Sequence, residues 1–233
     1  MSATTPRRSS ALEGARAAFP VVLGYLGIGF AAGVVERSVG MTILEILLLA
    51  CILYAGSAQF VTAGMLAAGS AAAAITVTVF FVNLRHLLLS AALSPHFRDE
   101  PPAKSFLLGA QLTDETFAVA SAGLERAHDK GSWMLGLNLT AYTTWVVANV
   151  AGGVFGQALP DPEALGLDFA LASMFAALLV LNLAGSASVR KGTGIALVAA
   201  VVAVGVKLLV PGNWNVMTAT VVAASVGVAW TSR

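Results

Sequence analysis

Long apolar runs, rarely broken by a charge, constrain this chain more than any other feature. Between Glu45 and Arg85 the sequence carries no charged residue. Charged residues make up 11% of the chain and hydrophobic residues 58%, and the mean hydropathy is +0.83. A soluble domain carries roughly 25% charged residues, and a charge-free run longer than about 18 residues indicates a transmembrane helix. The chain is therefore predicted to be an all-α, polytopic membrane helical bundle.

Eight apolar segments are predicted to cross the membrane, with seven as the alternative because the last two are short. The segments are residues 19–36, 43–66, 69–93, 105–124, 133–157, 166–188, 192–210 and 213–230. Prolines, glycines and charged clusters separate them. Residues 1–18 are predicted to form a cytoplasmic tail, and residues 19–230 a single transmembrane transport domain.

The distribution of lysine and arginine predicts the orientation, since basic residues concentrate in cytoplasmic loops. With the N-terminus in the cytoplasm, three basic residues lie outside, namely Arg37, Arg98 and Lys104. Eight lie inside, namely Arg7, Arg8, Arg16, Arg126, Lys130, Arg190, Lys191 and Arg233. Both termini are therefore predicted to be cytoplasmic.

Several classes of protein and site are not favoured by the sequence. The net charge of +1 and the absence of a basic block do not fit a nucleic-acid-binding protein. No pair of His, Cys or acidic residues has metal-ligand spacing on one predicted helix, and no phosphate-binding glycine loop is present. No metal, cofactor or ATP-driven pumping is expected.

Ionisable residues inside predicted spans indicate the candidate site, because each costs roughly 2.5–3.5 kcal/mol at the bilayer centre. Arg85 lies in the third span, and Asp114 and Glu115 lie in the fourth. In an antiparallel hairpin these residues reach one depth, about 12–14 Å below the outer boundary. An ion pair of Arg85 with Asp114 or with Glu115 is predicted. It is either a structural lock or part of a substrate or proton site, and we favour the second because apolar replacement of a structural pair is often neutral.

Proton coupling is predicted for Asp114, Glu115 and His86. Adjacent residues project about 100° apart on a helix, so only one of the two acids can face Arg85. Burial favours the protonated form of a carboxyl group. His86 either relays protons, since histidine titrates near neutral pH, or only packs.

Two further ionisable residues lie at predicted span ends. Asp168 begins the sixth span. Lys207 is predicted to extend its ammonium group to the outer interface.

A run of small and polar residues, Tyr54-Ala55-Gly56-Ser57-Ala58-Gln59-Phe60, lies in the second span. Either the small residues allow close helix packing, or the helix is broken at residues 54–60 and its backbone binds a small substrate. On the second interpretation the substrate-binding residues are Tyr54, Gly56, Ser57, Gln59, Asn83 and Arg85.

Two alternatives to a transporter stay open. Ser57 and His86 supply the residue types of an intramembrane serine hydrolase, although the Gly-x-Ser-x-Gly elbow is absent. The other alternative is a non-transporting structural subunit, in which Arg85 and Asp114 only hold helices together. We favour a membrane transporter over an enzyme.

Three ordered motifs resemble the AzlC family, the large subunits of bacterial branched-chain amino-acid exporters. They are residues 54–60, Asn83-Leu84-Arg85-His86 and Leu112-Thr113-Asp114-Glu115-Thr116-Phe117-Ala118, and a later block at residues 167–181 is also similar. This chain has Leu89-Ser90 where the family often has Tyr-Gly.

The resemblance implies a permease of the bacterial inner (cell) membrane. It implies a secondary exporter, driven by proton antiport, of leucine, isoleucine, valine and methionine. It also implies a small membrane partner subunit of the AzlD type.

Overall fold

The computed structural model describes residues 7–158 and 188–209, together with individual positions between 166 and 183 and between 222 and 230. Every regular element in this part of the chain is helical, which confirms the predicted all-α class. The longer helices are α1 Arg7–Ala17, α2 Phe19–Ser38, α3 Ile43–Ile52, α4 Gly56–Ala67, α5 Ala72–Leu93, α6 Pro102–Ala110, α7 Asp114–Gly123, α8 Lys130–Phe155 and α9 Val189–Leu209.

Helices α1 and α2 pack one after the other along α8, and both run in the same direction as α8. Gly14 of α1 lies against Trp133 at the start of α8, and Gly33 of α2 lies against Asn149 nearer its end. A methyl group at either glycine would overlap the opposing backbone carbonyl. Small residues at helix contacts are typical of membrane bundles, where they let backbones approach closely. The three helices therefore form a tightly packed centre for the rest of this region.

The predicted second span, residues 43–66, consists of the two helices α3 and α4. Tyr54 has a φ angle of 39°, which is uncommon for a residue with a side chain, and Ala55 is extended. The break predicted at residues 54–60 is confirmed at its first two positions. Residues 56–60 are already helical, because the chain returns to helical geometry directly after Ala55.

The predicted fourth span, residues 105–124, is not the continuous helix that we expected. It is divided into α6 and α7 by Gln111, Leu112 and Thr113. The Thr113 hydroxyl accepts a hydrogen bond from the Thr116 backbone N–H, and the Thr116 hydroxyl accepts one from the Thr113 N–H. This reciprocal cap starts a new helix, but it uses threonine where the usual pattern has glutamate or glutamine.

Two side chains of α8 donate hydrogen bonds to backbone carbonyls near the two breaks. Asn138 Nδ2 donates to the Leu108 carbonyl near the end of α6, at 3.0 Å. One turn further along, the Tyr142 hydroxyl donates to the Cys51 carbonyl near the end of α3, also at 3.0 Å. Interrupted helices are tolerated in a membrane where other protein groups bind the freed backbone atoms. Helix α8 therefore stabilises the ends of both α3 and α6.

The chain divides into two compact units, residues 1–171 and 172–233. In the second unit, Lys191 Nζ of α9 donates to the Trp230 backbone carbonyl at 3.0 Å. Lys207, near the other end of α9, is exposed.

Three helices of the described residues are long and apolar enough to cross a membrane. They are α2, α9 and the helix from Ala72 that continues through a 3-10 turn to Phe97. The predicted spans at residues 166–188 and 213–230 lie largely outside the described residues, and Asp168 lies outside them.

Candidate functional site

Arg85 of α5 joins the first turns of the two helices that follow the breaks. Its Nη1 atom forms an ion pair with Asp114 Oδ2 at 2.9 Å, and its Nη2 atom donates to Ser57 Oγ. The predicted pairing of Arg85 with one of the two acids is thus confirmed, with Asp114 as the partner. The Arg85 and Asp114 side chains are 29% and 27% exposed, so the pair is only partly buried.

The two helix starts differ in how their backbone N–H groups are bound. The first N–H groups of any helix lack partners within the helix and carry the positive end of its dipole. Thr113 caps α7, as described above, whereas Ala55 at the N-cap of α4 provides no side-chain acceptor. Among the described residues no side chain caps the start of α4, and an uncapped helix start favours an anion.

Three buried polar atoms close to this ion pair in sequence have no hydrogen-bond partner among the described residues. They are Asn83 Oδ1, Arg85 Nε and Gln111 Oε1. Buried polar groups are normally hydrogen-bonded, and each exception needs an explanation. Two of these atoms are acceptors, and Arg85 Nε is a donor.

Glu115 does not contact Arg85. The Tyr25 hydroxyl of α2 donates to Glu115 Oε2 at 2.8 Å and lies 2.7 Å from the Thr113 hydroxyl. Adjacent positions of α7 thus bind different neighbours, as the angle between successive helical side chains requires. Glu115 is thus bound by α2, and Asp114 is bound by α5.

Gln59 is fully buried and belongs to a second polar cluster. Its Oε1 atom accepts from Trp145 Nε1 at 2.7 Å, and its Nε2 atom donates to Glu36 Oε1 at 2.9 Å and to Asn149 Oδ1 at 3.1 Å. Both Nε2 protons are used inside the protein. The Trp145 ring also stacks edge-on against Tyr25, with ring centroids 5.0 Å apart. This contact joins the Gln59 cluster to the hydrogen bonds that Tyr25 makes with Thr113 and Glu115.

The remaining predicted site residues have separate positions. Tyr54 is buried at the break, with its ring 4.8 Å from that of Tyr142. A Cβ atom at Gly56 would lie 2.8 Å from the Trp145 ring, so only glycine fits without a shift. His86 is partly buried, and within residues 7–158 no hydrogen bond joins it to the Ser57 hydroxyl, which Arg85 binds instead.

Sequence reasoning missed Tyr25, Glu36, Trp145 and Asn149. Glu36 is the last residue of the first predicted span, and it is fully buried. Tyr25 lies in the same span, and Trp145 and Asn149 lie in the charge-free fifth span. The signal that was available was a polar side chain inside an apolar run, which in membrane helices forms contacts between helices.

The chain is a helical membrane protein with a charged site where the two helices that follow the breaks begin. The chain belongs to the AzlC family, since the family described as AzlC protein matches residues 20–159. That range includes all three sequence motifs and both helix breaks.

Individual relatives agree with this assignment. The inner membrane protein YgaZ of Escherichia coli is 34% identical over 75% of this chain and 74% of its own length. The branched-chain amino acid transport protein AzlC of Bacillus subtilis is 29% identical over 72% of this chain and 68% of its own length. An uncharacterized membrane protein of Archaeoglobus fulgidus is 32% identical over 72% of this chain and 73% of its own length. No solved structure matches the chain.

Proposed function

We propose that the chain is a secondary exporter of branched-chain amino acids, with methionine as a further substrate, driven by proton antiport. The observation that carries the proposal is the Arg85 side chain, which binds Asp114 at one helix start and Ser57 at the other. Membrane transporters commonly bind small substrates where helices are discontinuous. The name of the Bacillus subtilis relative supports the choice of substrate class.

The substrate carboxylate binds at the start of α4. The free N–H groups there and the helix dipole favour a negative group, and Ala55 provides no competing acceptor. Arg85 Nε, a buried donor without a partner among the described residues, adds a charged hydrogen bond.

The substrate ammonium binds beside Asp114. Asn83 Oδ1 and Gln111 Oε1 are buried acceptors without partners in the described part of the chain, and they complete its coordination. Asp114 binds either the substrate ammonium group or a proton, and binding of the proton releases the substrate. Glu115 and His86 serve the same proton transfer. Tyr54, Gly56 and Gln59 shape the α4 side of the site.

Several finer features belong to the same proposal. The protein works as the large subunit of a two-component permease with a small AzlD-type membrane subunit. It lies in the bacterial inner membrane with both termini in the cytoplasm.

Leucine uptake by inside-out membrane vesicles tests the proposal, because export from the cell becomes uptake in this orientation. Vesicles from cells that express the chain with its small subunit should accumulate radiolabelled leucine when their interior is acidic. Asp114→Asn should lower this uptake at least tenfold, since the variant keeps the side-chain shape but does not titrate. Arg85→Gln should have an effect of similar size.

Lys207→Gln is the matched control, because Lys207 is exposed on α9, far along the sequence from the site. It should transport at the wild-type rate. Wild-type uptake equal to that of vesicles without the chain, or full activity in Asp114→Asn, would contradict the proposed function. A serine-directed fluorophosphonate label on Ser57 would instead favour the hydrolase.

A further inference from the structure

Glu36 is a buried carboxyl group that the proposed mechanism does not use. It lies in the last turn of α2 and has no exposed surface. One oxygen, Oε1, accepts a hydrogen bond from Gln59 Nε2. The other, Oε2, is buried without a hydrogen-bond partner among the described residues. An unpaired buried oxygen of this kind either carries a proton or is strongly destabilised by its charge.

The direction of the hydrogen bonds around Glu36 is fixed by Trp145. An indole N–H can only donate, so Gln59 must turn its carbonyl oxygen towards Trp145 and its amide nitrogen towards Glu36. Asn149 must then accept from Gln59 with Oδ1, which leaves its Nδ2 atom buried without a partner in the same set of residues. Glu36 is therefore held as an acceptor at Oε1, and only Oε2 is available for a proton.

The charged and titratable groups around Glu36 do not neutralise it. Helix α4 contains no charged residue, and the only charged residue of α8 is Lys130, 19 residues from Asn149 or about 28 Å along the helix. On α3, Glu45 is exposed and caps its own helix through Thr42. The other titratable groups on these helices are Cys51 of α3 and Tyr142 of α8, and the Tyr142 hydroxyl donates to the Cys51 backbone carbonyl. Within residues 7–158, no ion pair involves Glu36.

Arg37, the residue that follows Glu36 on α2, binds a backbone group and not the Glu36 carboxyl. The Arg37 guanidinium donates to the Met41 carbonyl at 2.7 Å. The Met41 backbone N–H in turn donates to the Glu36 backbone carbonyl, not to its carboxyl group.

We propose that Glu36 is a second proton-binding site of the transport cycle, an inference that rests on the proposed proton antiport. Its Oε2 atom forms an O–H bond with a proton that comes from water, and the proton returns to water later in the cycle. Gln59 transmits the change, since a hydrogen bond to a charged carboxylate is stronger than one to a neutral carboxyl. Gln59 lies two residues after Ser57, which Arg85 binds, so the first turn of α4 connects Glu36 to the substrate site.

Two assays on Glu36→Gln separate proton coupling from substrate binding. Leucine counterflow, the exchange of labelled for unlabelled leucine without a pH gradient, needs the substrate site but no net proton movement. Counterflow should stay within about twofold of the wild type, while uptake driven by a pH gradient should fall at least tenfold. Glu36→Asp keeps a titratable group and should retain driven uptake within about threefold. Glu45→Gln, an exposed carboxyl outside the cluster, should change neither rate.

Each contrary result has a definite meaning. Wild-type driven uptake in Glu36→Gln, loss of counterflow together with driven uptake, or equal losses in Glu36→Asp and Glu36→Gln would each overturn the proposal. If the wild type itself transports no leucine in either assay, the proposed function fails instead.

Labelling of the wild-type protein tests the site without a variant. Dicyclohexylcarbodiimide reacts with protonated carboxyl groups in apolar surroundings, and mass spectrometry of the digested protein locates the product. Modification at Glu36 should increase at least fivefold as the pH is lowered from about 9 to about 6. Labelling that does not reach Glu36, or that does not change with pH, would overturn the proposal.

Discussion

Replacement of Gln59 by leucine should destabilise the protein. Its amide makes three buried hydrogen bonds, to Glu36 at 2.9 Å, to Asn149 at 3.1 Å and to Trp145 at 2.7 Å. Gln59→Leu keeps a side chain of similar volume but offers no polar atom. Three groups that cannot reach water then lose a partner.

The expected loss follows from the number of groups affected. A buried polar group without a partner costs about 1–3 kcal/mol in soluble proteins, and a side-chain hydrogen bond inside a membrane protein averages about 0.6 kcal/mol. For three groups, these values set limits of about 2 and about 9 kcal/mol on the loss in the free energy of unfolding of Gln59→Leu. For a chain of this size, the lower limit alone corresponds to a fall in Tm of about 4–8 °C.

Thermal unfolding of the purified protein in detergent, followed by tryptophan fluorescence, measures this change. Gln111→Leu is the matched control, because its side chain also lies at a helix break but its Oε1 atom has no partner among the described residues. We expect its Tm not to fall below that of the wild type, since no hydrogen bond of the Oε1 atom is removed. A Gln59→Leu protein that unfolds at the wild-type temperature, or two variants with equal losses, would refute the reasoning.

Three further substitutions test the packing and the two helix starts. Gly33→Ala places a methyl group against a backbone carbonyl and should cost about 1–3 kcal/mol in thermal unfolding, whereas Gly27→Ala, in open space on the same helix, should stabilise by up to about 1 kcal/mol. Ala55→Ser adds an N-cap acceptor to α4; it should raise stability by about 1 kcal/mol and weaken leucine binding at least threefold in an equilibrium binding assay. Tyr25→Phe removes the hydrogen bond to Glu115 and should slow driven leucine uptake several-fold, while counterflow changes less. Unchanged unfolding in the two glycine variants, unchanged leucine binding in Ala55→Ser, or unchanged driven uptake in Tyr25→Phe would contradict the corresponding expectation.

The Arg85–Asp114 pair was predictable because charges are so scarce in the apolar runs. An arginine inside a span needs an opposite charge, and the rise per residue of a helix places the candidate acids of the next span at the same depth. The structure forms this pair at 2.9 Å. The choice of Asp114 over Glu115 depended on the helix break and on Tyr25, which binds the second acid, and neither was visible in the sequence.

The break before Asp114 and the burial of Glu36 were not predictable for different reasons. The cap is formed by Thr113 and Thr116, and threonine replaces the glutamate or glutamine that the usual capping pattern has at the second position. Glu36 lies at the end of an apolar segment, where a carboxyl group is usually solvated. Its burial depends on α4 and α8, which pack over it with Gln59 and Asn149. Contacts between distant spans of this kind are set by packing and leave no periodic pattern in one segment.

The position of Asp114 bears on the direction of coupling in the proposed mechanism. A substrate ammonium and a proton cannot both occupy one carboxylate, so binding of either at Asp114 excludes the other, which is the requirement for antiport. A carboxylate bound at Arg85 has the opposite effect, because it competes with Asp114 for the guanidinium and favours protonation of that acid. In the proposed mechanism the start of α4 resolves this conflict, because carboxylate binding at its backbone N–H groups does not displace Asp114 from Arg85. Antiport therefore requires that α4 supply most of the carboxylate binding and that Arg85 hold Asp114 in place for the ammonium.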